Sequence, residues 1–278
     1  MNEKNVENQT FRVDPILHTA EEVNRPVIFC ERCGTPKKYG VVEAGGSKIY
    51  IGVLQCDCIE KMQEEERQRE REQEILDNML NFKKYSNLSK KVCTFDNWQH
   101  NQYTQSAEDC YQTFRKFLRD YHAGTQGMIV YGEAGCGKTH LSMALATELV
   151  KGGAKVIFKN VPSLFEEIFD TFNNYETKPS DVINPIIEAD VVILDDLGAE
   201  KPSDFVKSKL YYIVNSLYNN NATVIVTSNL QNVSDLKDVI GFRAYDRLLE
   251  MCTLVHNKGQ SYRRYLANNR LSQSLRQL

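Results

Sequence analysis

The chain contains no apolar run approaching the ~18 residues that a membrane-spanning helix needs, so no membrane partner is expected. It also lacks an excess of either charge: 34 Lys and Arg stand against 37 Asp and Glu, a formal net charge of −3. A protein coated in basic charge is excluded, and any nucleic-acid contact has to be local. The opening residues, MNEKNVENQTFRVDP, lack the basic-then-apolar pattern of a secretory leader. The expected location is cytoplasmic, where thiols stay reduced, so the eight cysteines need an explanation other than disulfides. There is no internal repeat, and no biased tract beyond one charged stretch. What remains is an ordinary soluble composition, 41% hydrophobic and 26% charged over 278 residues, enough for one large domain or two.

Composition divides the chain into three. Residues 1–60 hold four cysteines and short β-type runs such as SKIYIGVLQ. The stretch EKMQEEERQREREQEILDNMLNFKKY is free of Gly and Pro and rich in acid–base pairs four apart. It predicts a solvated helical linker over 61–88. Residues 89–278 alternate apolar strands (GMIVYG, AKVIF, ADVVILDDLG, ATVIVTSNL) with helical segments. Continuous apolar strands between helices predict an α/β domain whose parallel sheet is covered on both faces.

The chemistry begins at YGEAGCGKTH. Gly132, Glu133, Ala134, Gly135, Cys136, Gly137, Lys138 and Thr139 spell G-x-x-x-x-G-K-T, followed by His140, with a strand before and a helix after. Glycines let the backbone curl so that its N–H groups face phosphates, and the helix N-terminus adds positive potential. Lys138 is suited to neutralise the β/γ-phosphates of ATP, and Thr139 can ligate Mg²⁺. A second strand ends in two acids. Asp195 is suited to hold the Mg²⁺ and Asp196 to orient or deprotonate the attacking water. Asn229, ending a third strand in TSN, can position the same water, although Asn at a strand end is often only turn chemistry.

Strand–P-loop, strand–DD, strand–TSN and a late arginine-bearing helix resemble an AAA+ ATPase. The chain is similar in particular to the DnaC/DnaI-type replicative helicase loaders, which share a core with the IstB transposition ATPases. VCTFDNW, YGEAGCGKTHLSMALATEL, VVILDDLGAEK, TSNL, RAYDRLLE and GQSYRR carry the resemblance, over roughly residues 85–265. It implies a homo-oligomer in which Arg247 reaches a neighbour's γ-phosphate, while Arg263 senses nucleotide from the same chain's tail. Guanidinium, always charged and forked toward phosphate oxygens, suits both tasks. Arg243 and Arg247 lie four apart, so each can instead pair with Asp246 or Glu250 on the helix surface. The chain departs from many AAA+ proteins in having Asp195-Asp196 where they have Asp-Glu. The shorter acid predicts slow hydrolysis.

Cys30 and Cys33 in CERCG, with Cys56 and Cys58 in CDC, form a four-thiolate set of the kind that holds structural Zn²⁺. Free thiols or a redox pair are the alternatives. A small region with little core of its own favours the metal. Cys93, Cys110, Cys136 and Cys252 read as small apolar residues. The resemblance implies that this module grips a hexameric DnaB-type helicase. It also implies that VPSLFEEIFDTFNNYETK helps to bind single-stranded DNA. Phe165, Phe169 and Phe172 follow the stripe of a core-facing helix, which leaves Tyr175 and Lys178 as exposed candidates for base stacking and phosphate contact. The tail after Glu250 has several Lys and Arg and no acid, and can track phosphates.

The reading of the whole is an ATP-dependent loader of a hexameric replicative helicase onto single-stranded DNA. An IstB-like transposition ATPase acting on duplex DNA and an ATP-gated binding protein with negligible hydrolysis are the alternatives.

Overall fold

The computed structural model describes residues 16–44, 47–53, 57–88, 92–98, 105–173 and 176–275. Its contacts divide the chain into two units, Met1–Glu72 and Gln73–Leu278. Cys56 and Tyr175, both singled out from the sequence, lie outside the described residues.

The first unit holds an antiparallel sheet of β1 (Ile16–His18), β2 (Tyr39–Ala44) and β3 (Ser47–Val53), in that order. Ala20, Val23, Tyr39 and Val41 are its buried apolar cluster. Among the described residues so small a cluster excludes little water, and small domains commonly rely on a staple. Helix α1 (Asp57–Tyr85) passes through the division between the units. The sequence predicts a solvated helix throughout, yet its last turns belong to the second unit's core. Phe82 is buried there, and the Asn78 side chain donates to Gly153 O at 2.9 Å.

The rest of the second unit runs α2 (Gln105–Asp120), β4 (Gly127–Tyr131), α3 (Lys138–Lys151), β5 (Val156–Asn160), α4 (Val161–Asp170), α5 (Pro179–Ile187), β6 (Val191–Asp195), α6 (Asp204–Asn219), β7 (Thr223–Ser228), α7 (Leu236–Ile240), α8 (Phe242–Met251), β8 (Cys252–His256) and α9 (Tyr262–Leu275). The local signals are physical. Asn160 caps α4 by accepting from Ser163 N–H, Ser203 caps α6 by accepting from Val206 N–H, and Gly152 closes α3.

The five strands are all parallel, in the order β5-β6-β7-β4-β8. Alternate side chains enter opposite cores. Ile129, Ile157, Val192, Leu194, Val224 and Val226 pack with the α4–α8 side, whereas Met128, Val130, Phe158, Ile193 and Ile225 pack with α2, α3 and the end of α1. A strand buried on both faces needs an apolar residue at every position, and this is why these strands read as unbroken apolar runs.

β4 and β7 approach closely at Gly127, where an added Cβ would stand 1.8 Å from Val224 O. Backbone cannot yield there as a flexible side chain would. Gly127→Ala is therefore expected to destabilise the protein by about 1–3 kcal/mol, the usual range for overpacking, read as a lowered urea midpoint with an unchanged m-value.

Candidate nucleotide-binding site

All the parallel strands end at one edge of the sheet, and the order β6-β7-β4 places the end of β7 between the other two. The P-loop follows β4, the two acids close β6, and Thr227, Ser228 and Asn229 close β7. Three segments from separate parts of the sequence thus meet.

Gly132, Gly135 and Gly137 have φ of 139°, 88° and 89°, backbone that residues with a Cβ rarely adopt. The curled loop buries Lys138, whose Nζ donates to Gly132 O and Glu133 O, both at 2.8 Å, and to Asn229 Oδ1 at 2.9 Å. The Asn229 amide then donates to an Asp196 carboxylate oxygen. A chain from ammonium through amide to carboxylate therefore crosses the site. Asn229 is more than turn chemistry, since it joins Lys138 to Asp196.

Thr227, which the sequence reading passed over, fixes both acids. Its hydroxyl donates to Asp195 Oδ1 at 2.7 Å and accepts from Asp196 N–H at 2.9 Å. Asp196 is held at φ 63°, a left-handed conformation that Asp tolerates better than most residues. Asp195 is buried, and burial raises its carboxyl above the ordinary 3.8 against the hydrogen bonds from Thr227 and Thr139. Thr139 is near enough to lower that carboxyl, so the hydroxyl and carboxylate expected to hold Mg²⁺ lie in the same neighbourhood. The only sequence signal for Thr227 was a hydroxyl pair closing an apolar strand.

The remaining loop residues are also placed. Ala134 is exposed at the loop tip, and the Cys136 thiol is buried, donating to Glu133 O at 3.0 Å. His140 Nε2 meets Thr94 O at 2.9 Å. Trp98, the single tryptophan, lies against the loop: a Cβ on Gly137 would stand 2.1 Å from its ring. Arg263 also comes to the loop, since a Cβ on Gly135 would be 3.6 Å from Arg263 Cγ. Its neighbour Arg264 pairs with Glu133 at 2.7 Å, a partner that the sequence did not suggest.

Arg247 and Arg243 lie elsewhere. Cys252, directly after α8, pairs with Gly127 at the start of β4, whereas the P-loop leaves the end of β4, ~16 Å away along a five-residue strand. Arg247 thus stands toward the edge opposite its own P-loop. It pairs with Glu250 at 3.2 Å and covers the Tyr218 ring at 4.2 Å, while Tyr218 donates to Glu250 at 2.7 Å. Arg243 covers Tyr211 at 5.9 Å. Two arginines four apart on α8 therefore rest on two tyrosines seven apart on α6, a cation–π arrangement beside the expected ion pair.

The aromatic stripe of α4 departs from expectation. Phe165 is core, but Phe169 and Phe172 are 44% and 59% exposed. The helix ends at Asp170, which places Phe172 beyond it and breaks the stripe. Both rings pack on Phe205 of α6, at 5.4 and 5.8 Å between centroids, with Lys209 over Phe205. Lys178 is exposed at the start of α5.

In the first unit, the thiol sulfurs of Cys30, Cys33 and Cys58 lie within 4.8 Å of one another. The turn is set by Cys30 N–H to Thr35 O and Gly34 N–H to Cys30 O, both 2.8 Å, with Gly34 at φ 68°. The exposed Cys33 thiol is shifted downward, chiefly by its hydrogen bond with Thr35. Three converging sulfurs are a donor set suited to Zn²⁺.

Residues 53–270 match the family profile described as IstB-like ATP binding protein. The replicative helicase loader DnaC of Escherichia coli (strain K12) is 23% identical over 156 residues, covering 56% of this chain and 62% of the relative. An ATP-binding protein of insertion sequence IS21 from Pseudomonas aeruginosa is 29% identical over 144 residues, covering 50% of this chain and 53% of the relative. The chain thus spans less than two thirds of the length of these curated relatives. The crystal structure of the DnaC helicase loader superposes with a TM-score of 0.54 at 26% identity, covering 60% of this chain and 97% of that one. The observed α/β core is the AAA+ P-loop fold expected from the motifs. Among the described residues no helix is long and apolar enough to cross a membrane.

Glu200, four residues past Asp196, is buried. Its Oε2 accepts from Gly198 N–H at 3.0 Å, whereas its Oε1 has no hydrogen-bond partner among the described residues. Burial raises this carboxyl above the ordinary 4.5, outweighing its hydrogen bonds. A group whose folded pKa exceeds the unfolded one contributes stability below the unfolded value and loses it as pH rises through the folded value. Stability is therefore expected to fall as pH rises from about 4.5, and Glu200→Gln to flatten that slope, measured as urea midpoints between acid and neutral pH.

Proposed function

The chain belongs to the IstB-like ATP binding protein family, and from that premise we propose that it is an ATP-dependent loader of a hexameric DnaB-type replicative helicase onto single-stranded DNA, acting in the cytoplasm as a homo-oligomer. The observation that carries the choice of loader is the three-thiol cluster in a unit of its own, outside the ATPase core. The DnaC relative and the DnaC structure support it. In this reading the N-terminal module, with Zn²⁺ held by Cys30, Cys33, Cys58 and Cys56, grips the helicase. The exposed rings of Phe169 and Phe172, with Phe205, give bases a face to stack on. Lys178 and the basic tail supply charge for phosphates.

The geometry supports a set of ATPase roles. Lys138 binds the β/γ-phosphates, Thr139 and Asp195 would hold Mg²⁺, and Asp196, oriented by Asn229 and Thr227, takes the water's proton or directs its attack. Arg263 reads the nucleotide within the chain, and Arg247 serves the site of a neighbouring copy. Its place away from its own P-loop supports that assignment, since from there it can act only in trans. Asp196 is held at one end of the Lys138–Asn229 chain and is a carbon shorter than Glu, which favours slow turnover. Transposition on duplex DNA is the second reading, favoured by the IS21 relative. A pull-down that yields a transposase and no helicase would decide for it.

Two predictions test the proposal. Freshly purified protein is expected to contain one Zn²⁺ per chain. Cys30→Ser should lose the metal and the co-purifying helicase while keeping ATP binding, followed through Trp98 emission beside the P-loop. Elemental analysis without zinc removes the metal from the account.

The second concerns Arg247. Arg247→Ala is expected to bind ATP and fail to hydrolyse it, because a finger supplied in trans is worth ~10³–10⁵ in rate in related systems. Lys138→Ala should fail to bind. Mixing the two inactive proteins should restore activity at mixed interfaces, where one chain supplies the P-loop and the other the arginine. No recovery at any mixing ratio, with oligomers formed, leaves Arg247 as a structural partner of Glu250 and Tyr218.

A further inference from the structure

The segment between β8 and α9 sits directly against the P-loop, although more than a hundred residues separate them in sequence. Asn257 is fully buried, and its N–H and both ends of its side-chain amide are engaged. Its N–H donates to Tyr131 O at 2.8 Å, and its Oδ1 accepts from Gly259 N–H at 2.8 Å. Because the oxygen faces that N–H, the amide nitrogen faces the loop, where it donates to Cys136 O at 3.2 Å. Five residues on, Tyr262 N–H donates to Gly135 O at 3.0 Å. The fit is close: a Cβ on Gly132 would stand 2.1 Å from Asn257 O, and one on Gly135 would stand 2.4 Å from Ser261 Oγ.

These two bonds act on successive peptide planes. In a trans peptide the C=O and the following N–H point in opposite directions. Pulling the Gly135 carbonyl toward Tyr262 and the Cys136 carbonyl toward Asn257 turns the N–H groups of Cys136 and Gly137 the other way. A loop that binds phosphate works through such N–H groups. Gly132 O and Glu133 O, by contrast, point to Lys138 Nζ, so the loop's polarity is divided between its two ends.

Resting on the P-loop reading above, we propose that the Asn257 amide and the Tyr262 N–H are positioning groups of the phosphate site: they hold the Gly135–Cys136 and Cys136–Gly137 peptides in the orientation that presents N–H groups to nucleotide phosphates. Asn257 closes β8 and Tyr262 opens α9, which also carries Arg263, so the same segment sets both the loop and that arginine.

The test uses the full chain and measures ADP and Mg-ATP binding together with kcat and KM. Asn257→Asp keeps an acceptor for Gly259 N–H and removes the donor to Cys136 O. It is expected to weaken ADP and ATP alike by about tenfold, the weight of one buried hydrogen bond. KM should rise with kcat little changed, the pattern of lost uniform binding. A second pair of variants covers the case in which Asn257→Asp melts early. Proline is tolerated at the first position of a helix, so Tyr262→Pro deletes the N–H, whereas Tyr262→Ala deletes the ring and keeps it. Tyr262→Pro should bind nucleotide about tenfold more weakly than Tyr262→Ala. Equal binding within that pair, or a kcat defect without a KM change in folded Asn257→Asp, overturns the proposal while Lys138→Ala still abolishes binding. Normal binding by Lys138→Ala overturns the P-loop reading itself.

Discussion

The candidate site depends on one constraint: β7 lies between β6 and β4, and all three run parallel. Parallel strands bring their carboxyl ends to a common edge, and neighbouring strands lie ≈ 4.8 Å apart. Asn229 at the end of β7 can then touch Lys138 on one side and Asp196 on the other, while Thr227 reaches both acids. An order with β7 elsewhere would leave no strand-end residue between the ammonium and the carboxylates.

Holding charge at that edge has a cost, because a buried carboxylate or ammonium gives up hydration. The structure meets the cost locally with hydrogen bonds. Lys138 donates to two carbonyls and an amide, and Asp195 accepts from the Thr227 hydroxyl. Glu200 is the exception, with one oxygen buried and unpartnered among the described residues. The apolar layers on both sheet faces supply the stability against which these groups are buried, at roughly 25 cal/mol per Å² of apolar surface removed from water.

Outside the site, the fold puts arginines and aromatics to uses that spacing alone leaves open. Arg243 and Arg247 lie on tyrosines of α6, and Phe169, inside α4, and Phe172, beyond its end, are exposed and pack on Phe205. In each case the deciding partner, Tyr211, Tyr218 or Phe205, comes from the same distant helix. The surface chemistry of α4 and α8 is thus set largely by α6.

By itself the sequence determined the parallel α/β class, because strands buried on both faces must be apolar throughout. It also determined the P-loop, because three closely spaced glycines before a lysine permit the positive-φ backbone of a tight curl. It identified Asp195, Asp196 and Asn229 as strand-end polar residues. It could not identify Thr227, Asn257 or Arg264, since their roles come from contacts made across 31, 121 and 131 positions of chain. Hydrophobic periodicity reports which face of an element is buried; it carries no information on which polar groups meet once the elements pack. That pairing was decided only by the order of the strands and by the return of the last helix onto the first loop.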